Sequence, residues 1–217
     1  FAESVVNVNS SYNVGDIDGY YSGGFIAFTS DKSSTVIVYY SYNTGNITAL
    51  DYSGGFIGYV RGNNRDVAIA VHYSYNTGSV TVSGHYDVSA GGLIGYAYSD
   101  ITVTVYHSYN TGNITAQTSS SYVRVDAYSG GFIGGGYDDV AVTVGNSYNV
   151  GNVVYYSESN YVASGGLIGG FDYALVLLNI NNSFSRYGSV VKGCYRGTDG
   201  MLLSSSDMKK QSAYIGW

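Results

Sequence analysis

The feature that most constrains this sequence is a five-residue string, Ser-Tyr-Asn-x-Gly, that recurs along most of the chain. Complete copies begin at Ser11, Ser41, Ser74, Ser108 and Ser147, and a degenerate copy begins at Ser183. Successive copies are 30, 33, 34, 39 and 36 residues apart. A fixed motif at a nearly constant period of this length is typical of a repeat architecture, in which each copy is one structural unit.

A second string, Gly-Gly-(Phe/Leu)-Ile-(Gly/Ala), accompanies each complete copy of the first. Its copies begin at Gly23, Gly54, Gly91, Gly130 and Gly165. The distance from these glycines to the next motif serine is 17 to 20 residues, whereas the distance from a motif serine to the following glycines varies from 12 to 22. The length variation therefore lies between the serine and the glycine pair, as in 117–127 and 155–163, and we expect exposed loops there.

The residues before each motif serine alternate as in a half-buried β-strand. The positions three and five residues before Ser41, Ser74 and Ser108 are all valine or isoleucine. The positions between them are a mixture of threonine, alanine and isoleucine. Uniform apolar residues at every second position predict that one face of the strand packs in a core and that the other faces outward.

Composition favours an all-β fold. The chain of 217 residues has 31 glycines, 26 tyrosines and no proline, and only 11% of its residues are charged. An average soluble domain is about 25% charged, so little material is left for the polar faces of helices. Valine, isoleucine, threonine and tyrosine suit a pleated surface. Together with the repeat, this predicts a β-solenoid (parallel β-helix) of about five to six coils over 1–190 and a small C-terminal cap over 191–217.

If each repeat is one coil of a solenoid, equivalent residues of successive coils stack about 4.8 Å apart as in-register parallel strands. The motif tyrosines then form a continuous aromatic stack of Tyr12, Tyr42, Tyr75, Tyr109 and Tyr148. The motif asparagines form an amide ladder of Asn13, Asn43, Asn76, Asn110 and Asn149. The motif glycines, such as Gly45, stand at a corner that needs a positive φ or a close approach between backbones.

The paired motifs resemble the GLUG-motif repeats of bacterial surface proteins. That family is written around a Gly-Gly-Leu-(Val/Ile)-Gly core, which 91–95 and 165–169 match, and 54–58 matches with phenylalanine for leucine. Its second half, an Asn-Ser-Tyr-x-Thr-Gly-Asn-Val-type segment, is similar to 41–48 and 108–115. The resemblance implies a β-solenoid scaffold similar to adhesin-like regions, an extracellular location and no catalytic residues.

The two ends of the repeat region lead to a prediction about assembly. Val6 and Val8 occupy the inward-facing positions relative to Ser11, so the sequence starts within a coil and should present an open strand edge. At the other end, the sequence of residues 204–211 predicts a short N-capped helix that ends near Trp217. This segment is interpreted either as an ordinary solenoid cap or as a surface that docks onto the open edge of another copy, which would give a head-to-tail filament.

Other classes of function lack a signal in the sequence. A net charge of −6 gives no basic footprint for nucleic acid. The longest uncharged apolar run, 174–178, is far shorter than the roughly 20 residues of a membrane helix.

The acidic pairs Asp16 with Asp18 and Asp138 with Asp139 have no basic residue or histidine in register, so they are interpreted as solvated corner residues. The histidines fall at unrelated positions of the repeat, and no metal site or cofactor is predicted. They are His72, His85 and His107.

These observations predict a non-enzymatic extracellular protein with a structural or adhesive role, whose partners are other copies of itself in a surface filament. A sequence that begins at Phe1 without an initiator methionine fits a processed or excised chain, and export. The alternative is a module that binds glycans or a host surface through exposed tyrosines and the variable loops. A third hypothesis is ice binding by a flat face bearing Thr102 and Thr104, although neighbouring coils place alanine at those positions.

Overall fold

The structure is a computed structural model that describes residues 4–30, 34–62, 66–119, 125–157, 162–172, 177–186, 190–191 and 201–203. Within these residues the protein is all-β, and parallel sheets stack the repeats into a β-solenoid of about five turns. The predicted fold class is therefore confirmed. Each turn, here called a coil, passes through sheets A, B, C and D in that order. Coils 1 to 5 cover 4–30, 34–61, 67–98, 101–137 and 140–172.

Sheets A and B contain the strand before the motif serine and the short strand of the motif itself. The strands of sheet A are Ser4–Asn9, Ser34–Tyr39, Val67–His72, Ile101–Tyr106, Val140–Gly145 and Leu177–Asn181. The strands of sheet B are Tyr12–Asn13, Tyr42–Asn43, Tyr75–Asn76, Tyr109–Asn110, Tyr148–Asn149, Phe184–Arg186 and Met201–Leu203.

Sheets C and D contain the segments on either side of the glycine pair. The strands of sheet C are Ile17–Gly23, Ile47–Gly54, Val80–Gly84, Val88–Gly91, Ile114–Thr118, Ala127–Gly130, Val153–Tyr156, Val162–Gly165 and Val190–Val191. The strands of sheet D are Ile26–Ser30, Ile57–Arg61, Ile94–Tyr98, Ile133–Tyr137 and Ile168–Asp172.

The variable segment between the two motifs is accommodated within sheet C. In coil 2 the strand Ile47–Gly54 runs through without interruption. In coil 3 the same path is divided into Val80–Gly84 and Val88–Gly91, and residues 85–87 between them are exposed. The extra residues leave the sheet as a loop, so coil 3 pairs with coil 2 in register on both sides of the loop. Between coils 1 and 2, a difference of one residue appears instead as a register shift between Gly19 and Tyr21. The prediction of an exposed loop at this place is confirmed for coil 3.

Among the described residues, two mainly aliphatic cores lie inside the solenoid. The first lies between sheets A and D, where the valines and isoleucines predicted to face inward, such as Val36 and Ile69, pack against Phe56 and Ile57. The second lies within sheet C, whose first and second halves pack against each other. In coils 2 to 5 each uniform apolar column is buried, whereas the alternating residues of sheet A, such as Ala68, are exposed or half-buried. The strand alternation read from the sequence is thus confirmed.

A ladder of buried asparagine amides connects the coils on the inner side of sheet B. The side-chain Nδ2 of Asn43 donates to Oδ1 of Asn76 at 2.7 Å, and Asn76 donates in the same way to Asn110 at 2.8 Å. Each Nδ2 also donates to the carbonyl oxygen of its own motif glycine, as Asn76 does to Gly78 at 2.8 Å. The same amide-to-amide hydrogen bond joins each pair of successive asparagines from Asn13 to Asn149. The ladder predicted from the repeat is therefore present, with its buried amides hydrogen-bonded.

The motif serines form a second ladder at the corner between sheets A and B, which the sequence did not indicate. The hydroxyl of Ser41 donates to the carbonyl oxygen of Tyr39 at 2.9 Å and accepts the backbone N–H of Ser11 at 3.1 Å. The residue before each serine has a positive φ of 46° to 51°. These residues are Ser10, Tyr40, Tyr73, His107, Asn146 and Asn182. The hydroxyl therefore links successive coils at a corner where non-glycine residues take the left-handed conformation.

The motif glycines allow the backbones of successive coils to approach closely. The sequence left two explanations open for these glycines, and a positive φ is the wrong one. None of them has a φ in the left-handed region. A Cβ on Gly78 would overlap the carbonyl oxygen of Gly45 in the preceding coil. The second glycine of the other motif has a related role, because a Cβ on Gly55 would lie 2.6 Å from Cγ of Asn76. The two motifs recur together because the glycine pair leaves the space that the asparagine ladder fills.

The predicted C-terminal cap lies mostly outside the described residues, which include neither the expected helix at 204–211 nor Trp217. Two described strands fall at or beyond the expected boundary at residue 190. Val190–Val191 pairs with sheet C, and Met201–Leu203 pairs with Phe184–Arg186 in sheet B. The pairing of the solenoid thus continues into the segment assigned to the cap.

The glycine packing predicts a difference between two substitutions at the same motif position. Gly78→Ala should lower the free energy of unfolding by at least about 2 kcal/mol, because the new methyl group forces two paired backbones apart. Gly15→Ala should change it by less than about 1 kcal/mol, because the nearest atom to the new Cβ, Oδ1 of Asn13, is 3.9 Å away. Chemical denaturation followed by circular dichroism measures both; equal effects would contradict the packing explanation.

Candidate functional site

The motif tyrosines of sheet B precede the ladder asparagines in the sequence, and their side chains lie on the opposite, outward-facing side of the sheet. The rings of Tyr12, Tyr42, Tyr75, Tyr109 and Tyr148 are stacked, with centroids 5.4, 5.1, 4.8 and 5.1 Å apart and interplanar angles of at most 11°. Tyr12 is exposed and the next four rings are half-buried. Because each interior ring is covered on both faces, this column presents ring edges and hydroxyl groups to solvent. We call it the tyrosine column.

A second group of rings, here called the corner cluster, lies next to the tyrosine column where sheets A and B meet. Its members are Tyr39, Tyr40, His72, Tyr73, Tyr106 and His107. Tyr40 and Tyr73 are 57% and 43% exposed, and their ring centroids are 5.2 Å apart. Tyr73 also stacks on His107 at 4.8 Å. Sequence analysis did not find this cluster, although the signal existed: an aromatic or histidine pair precedes the motif serine in three successive repeats.

The corner cluster contains two of the three histidines. His72 is packed between Tyr39 and Tyr106, and its Nε2 atom is buried without a hydrogen-bond partner among the described residues. Burial, and then the nearby His107, hold the pKa of His72 below its ordinary value of 6.5. His85 lies apart in the exposed loop of coil 3, where its Nδ1 is 2.9 Å from the hydroxyl oxygen of Ser119. The described residues hold no group of three metal-ligating side chains.

A third group of rings lies between the second half of sheet C and sheet D and is mostly buried. Tyr52 stacks on Tyr96 at 4.6 Å, and Tyr96 continues the stack towards Tyr128. Ring and glycine positions are complementary, because a Cβ on Gly135 would lie 2.7 Å from the ring of Tyr128. Burial raises the pKa of Tyr59, in the same group, to about 12, although Arg61 acts in the opposite direction. This group resembles a third core rather than a binding surface.

One carboxylate is buried beside this third group. Asp51 shares a hydrogen bond with the hydroxyl of Tyr20, which raises the pKa of Tyr20 to about 12. Burial raises the pKa of Asp51, although the hydrogen bond from Tyr20 acts in the opposite direction. The nearby carboxylate of Asp87 also raises the pKa of Asp51, and Oδ1 of Asp87 accepts the backbone N–H of Asp126 in coil 4 at 2.9 Å. The geometry therefore assigns both carboxylates to contacts between coils.

Of the acidic residues considered from the sequence, Asp16, Asp138 and Asp139 lie at corners, whereas Asp18 lies within the strand Ile17–Gly23, so its predicted corner position is wrong. Oδ1 of Asp16 accepts the backbone N–H of Asn46 at 2.7 Å, and Asp18 is exposed. Asp138 and Asp139 have φ values of 59° and 46° in the turn between sheets D and A. The geometry assigns Asp16 to the contact between coils 1 and 2, and Asp138 and Asp139 to a turn.

The outward face of sheet A does not carry a regular threonine array in the described coils. Thr102 is paired with Ala68 on one side and with Ala141 on the other. The hydroxyl of Thr104 donates to the carbonyl oxygen of Ile69 at 3.3 Å, so it is turned towards the sheet. Rows of alternating threonine and alanine give no geometric support to ice binding.

The edge of coil 1 contains two of the three residues predicted to take part in assembly. Val6 and Val8 pair with Val36 and Val38 of coil 2, and among the described strands they have no partner on the other side. Val6 is 39% exposed, whereas Val36 is fully buried. The edge is therefore more exposed than the equivalent strands of coils 2 to 5. Trp217, the third residue, lies outside the described residues.

Comparison with known proteins identifies the fold and not a family. No family model matches the chain, and no curated protein matches its sequence. The structure is similar to the crystal structure of a candidate immunoglobulin A1 protease from Bacteroides ovatus, with a TM-score of 0.57 and 12% sequence identity over 93% of this chain and 70% of that chain. The resemblance to GLUG-motif repeats stays a prediction. No helix in the described part of the chain has the length and apolar character needed to span a membrane.

The burial of His72 predicts a loss of stability in weak acid. The unfolded chain takes up a proton at this histidine near pH 6.5, whereas the folded protein resists it, so the free energy of unfolding falls as the pH drops below about 6.5. His72→Gln should remove this part of the pH dependence. Denaturation of both proteins between about pH 8 and pH 5 measures the difference. Parallel curves for the two proteins would contradict the prediction.

Proposed function

We propose that this chain is a non-enzymatic structural and adhesive repeat segment of an extracellular or cell-surface protein. The observation that carries the proposal is the repetition of one set of contacts in every coil. The asparagine, serine and tyrosine ladders all continue in the same register from coil 1 to coil 5. A solenoid built in this way is a stiff, quasi-one-dimensional support whose outer faces can be varied without disturbing the stack.

The chemistry of the polar residues supports a structural role. The buried asparagines and motif serines are engaged in contacts between coils, and Asp16 is engaged in the same manner. The variable loops leave the stack at one place in the coil, where their length does not affect the register. Surface repeats of bacteria, which the paired motifs resemble, fit this arrangement.

The hydrogen-bonding groups of coil 1 support a filament form of the proposal. Ser11 and Asn13 of this coil occupy the positions at which later coils accept hydrogen bonds from the coil before them. A coil with the same motif presents the matching donors. In the filament form, that coil belongs to another copy of the chain, and Val6 and Val8 lie at the contact.

Substitution of the coil 1 edge tests the filament form. Val8→Asp places a carboxylate on the inward face of the edge strand and should abolish concentration-dependent assembly while the solenoid stays folded. Val5→Asp on the outward face of the same strand is the matched control and should assemble as the wild type does. Negative-stain electron microscopy and light scattering over a concentration series measure assembly. Filaments that persist in Val8→Asp would contradict the role of this edge.

A second candidate function, glycan binding, is favoured by the exposed rings of the corner cluster. Tyr40 and Tyr73 lie side by side, and amphipathic rings of this kind suit the apolar face and hydroxyl groups of a sugar. The cluster lies on the rigid corner between sheets A and B, so its rings are held in place before a ligand arrives.

Retention on insoluble polysaccharides and on a glycan array tests the second candidate. Tyr40→Ala and Tyr73→Ala should reduce retention of the chain, because each removes an exposed ring from the corner cluster. Tyr156→Ala is the matched control, since Tyr156 is also 57% exposed but lies in sheet C. An equal loss in all three variants, or no retention of the wild type by any glycan, would count against glycan binding at the corner.

A further inference from the structure

Two exposed tyrosines of successive coils are held in contact at the corner between sheets A and B. The ring centroids of Tyr40 and Tyr73 are 5.2 Å apart, and the ring planes are inclined by 33°. Both residues have the same left-handed backbone conformation, with φ of 49° and 51°. Nearly equal φ values at equivalent positions of stacked coils point the two Cα–Cβ bonds the same way, so the solenoid places the two side chains next to each other.

The contact has the geometry required for coupling between phenol rings. Adjacent parallel strands place the two backbones about 4.8 Å apart, and rotation about χ2 of tyrosine is soft and broad. A χ2 rotation from the inclined arrangement brings a Cε atom of one ring towards a Cε atom of the other. The other face of Tyr73 is stacked on His107 at 4.8 Å, so the ring that turns is that of Tyr40, which is 57% exposed.

The tyrosine column is less suited to the same reaction. Tyr75 is covered on one face by Tyr42 and on the other by Tyr109, with interplanar angles of 4° and 1°. A ring held between two parallel rings cannot turn without displacing both neighbours. Tyr39 also lies near Tyr73, at 5.3 Å, but it is half-buried and meets that ring edge-on at 76°. Exposure and inclination together single out Tyr40 with Tyr73.

We infer that Tyr40 and Tyr73 form a site of oxidative modification, at which a haem peroxidase with hydrogen peroxide joins the two rings as dityrosine. Each phenol loses one electron and its hydroxyl proton to give a phenoxyl radical. The two radicals form one carbon–carbon bond between Cε atoms, and the two ring hydrogens then move to the oxygens to restore both phenols. Hydrogen peroxide takes up the two electrons and two protons and becomes two molecules of water.

The cross-link would fasten coil 2 to coil 3. It closes a loop between residues 40 and 73, which restricts the unfolded chain and opposes the separation of neighbouring coils. Solenoids open locally at the contact between repeats, so a covalent tie across that contact raises the resistance of the protein to unfolding and proteolysis. This inference is independent of whether the chain assembles or binds glycans.

Peroxidase treatment of the full chain at low concentration tests the inference. Dityrosine fluorescence should appear in the monomer band, and mass spectrometry should find the tryptic peptides 33–61 and 66–124 joined with the loss of two hydrogen atoms. Tyr40→Phe and Tyr73→Phe should abolish this product, because phenylalanine keeps the ring but forms no phenoxyl radical. The cross-linked wild type should unfold at a higher denaturant concentration than the untreated protein.

Tyr39→Phe is the matched control, because it changes the adjacent ring of the same cluster and should leave the joined peptides intact. The inference is overturned if the folded wild type gives no joined peptides or if Tyr40→Phe gives the same yield as the wild type. Loss of the product in Tyr39→Phe with its retention in Tyr40→Phe would also overturn it. Cross-links found only between separate chains would overturn it as well.

Discussion

The hydrogen bond from one asparagine amide to the next is the contact on which the register of the solenoid depends. Asn43, Asn76, Asn110 and Asn149 are fully buried, so an amide displaced by one residue would lose its partners in a place that water does not reach. The backbone ladders alone permit a shift in register, because every strand pair can form the same bonds after sliding. The amide ladder therefore makes one register far more favourable than its neighbours.

The glycines and serines of the motifs support the asparagine ladder. The amide of Asn76 requires space, and Gly55 of the other motif provides it. The same amide requires the close approach of successive backbones, which Gly78 allows. Ser74 then closes the corner by donating to the carbonyl oxygen of His72 at 2.8 Å and accepting the N–H of Ser41 at 3.1 Å. Each of these recurring residues thus makes a distinct contact.

The outer faces are free to differ because the ladders hold the inside constant. Tyr40, Tyr73 and His107 occupy one column of the corner, and Asn146 and Asn182 occupy the same column farther along. The proposals of adhesion, glycan binding and tyrosine coupling all concern this variable outer layer. The corner cluster is concentrated in coils 2 to 4, so a binding or cross-linking face can be confined to part of the rod without altering the coils on either side.

The sequence by itself determined the all-β class, the coil as the repeating unit, the inward columns such as Val36 and Val38, and the tyrosine and asparagine ladders. These follow from a period that every coil obeys, because a residue that recurs in each repeat stacks on itself. The tertiary structure alone decided the second core within sheet C, the serine ladder and the corner cluster. The second core joins residues that are distant within a coil, and the spacing of a motif does not encode it. The serines and the aromatic or histidine pairs before them recur in the sequence, but how their side chains meet depends on the left-handed backbone conformation of non-glycine residues such as Tyr40.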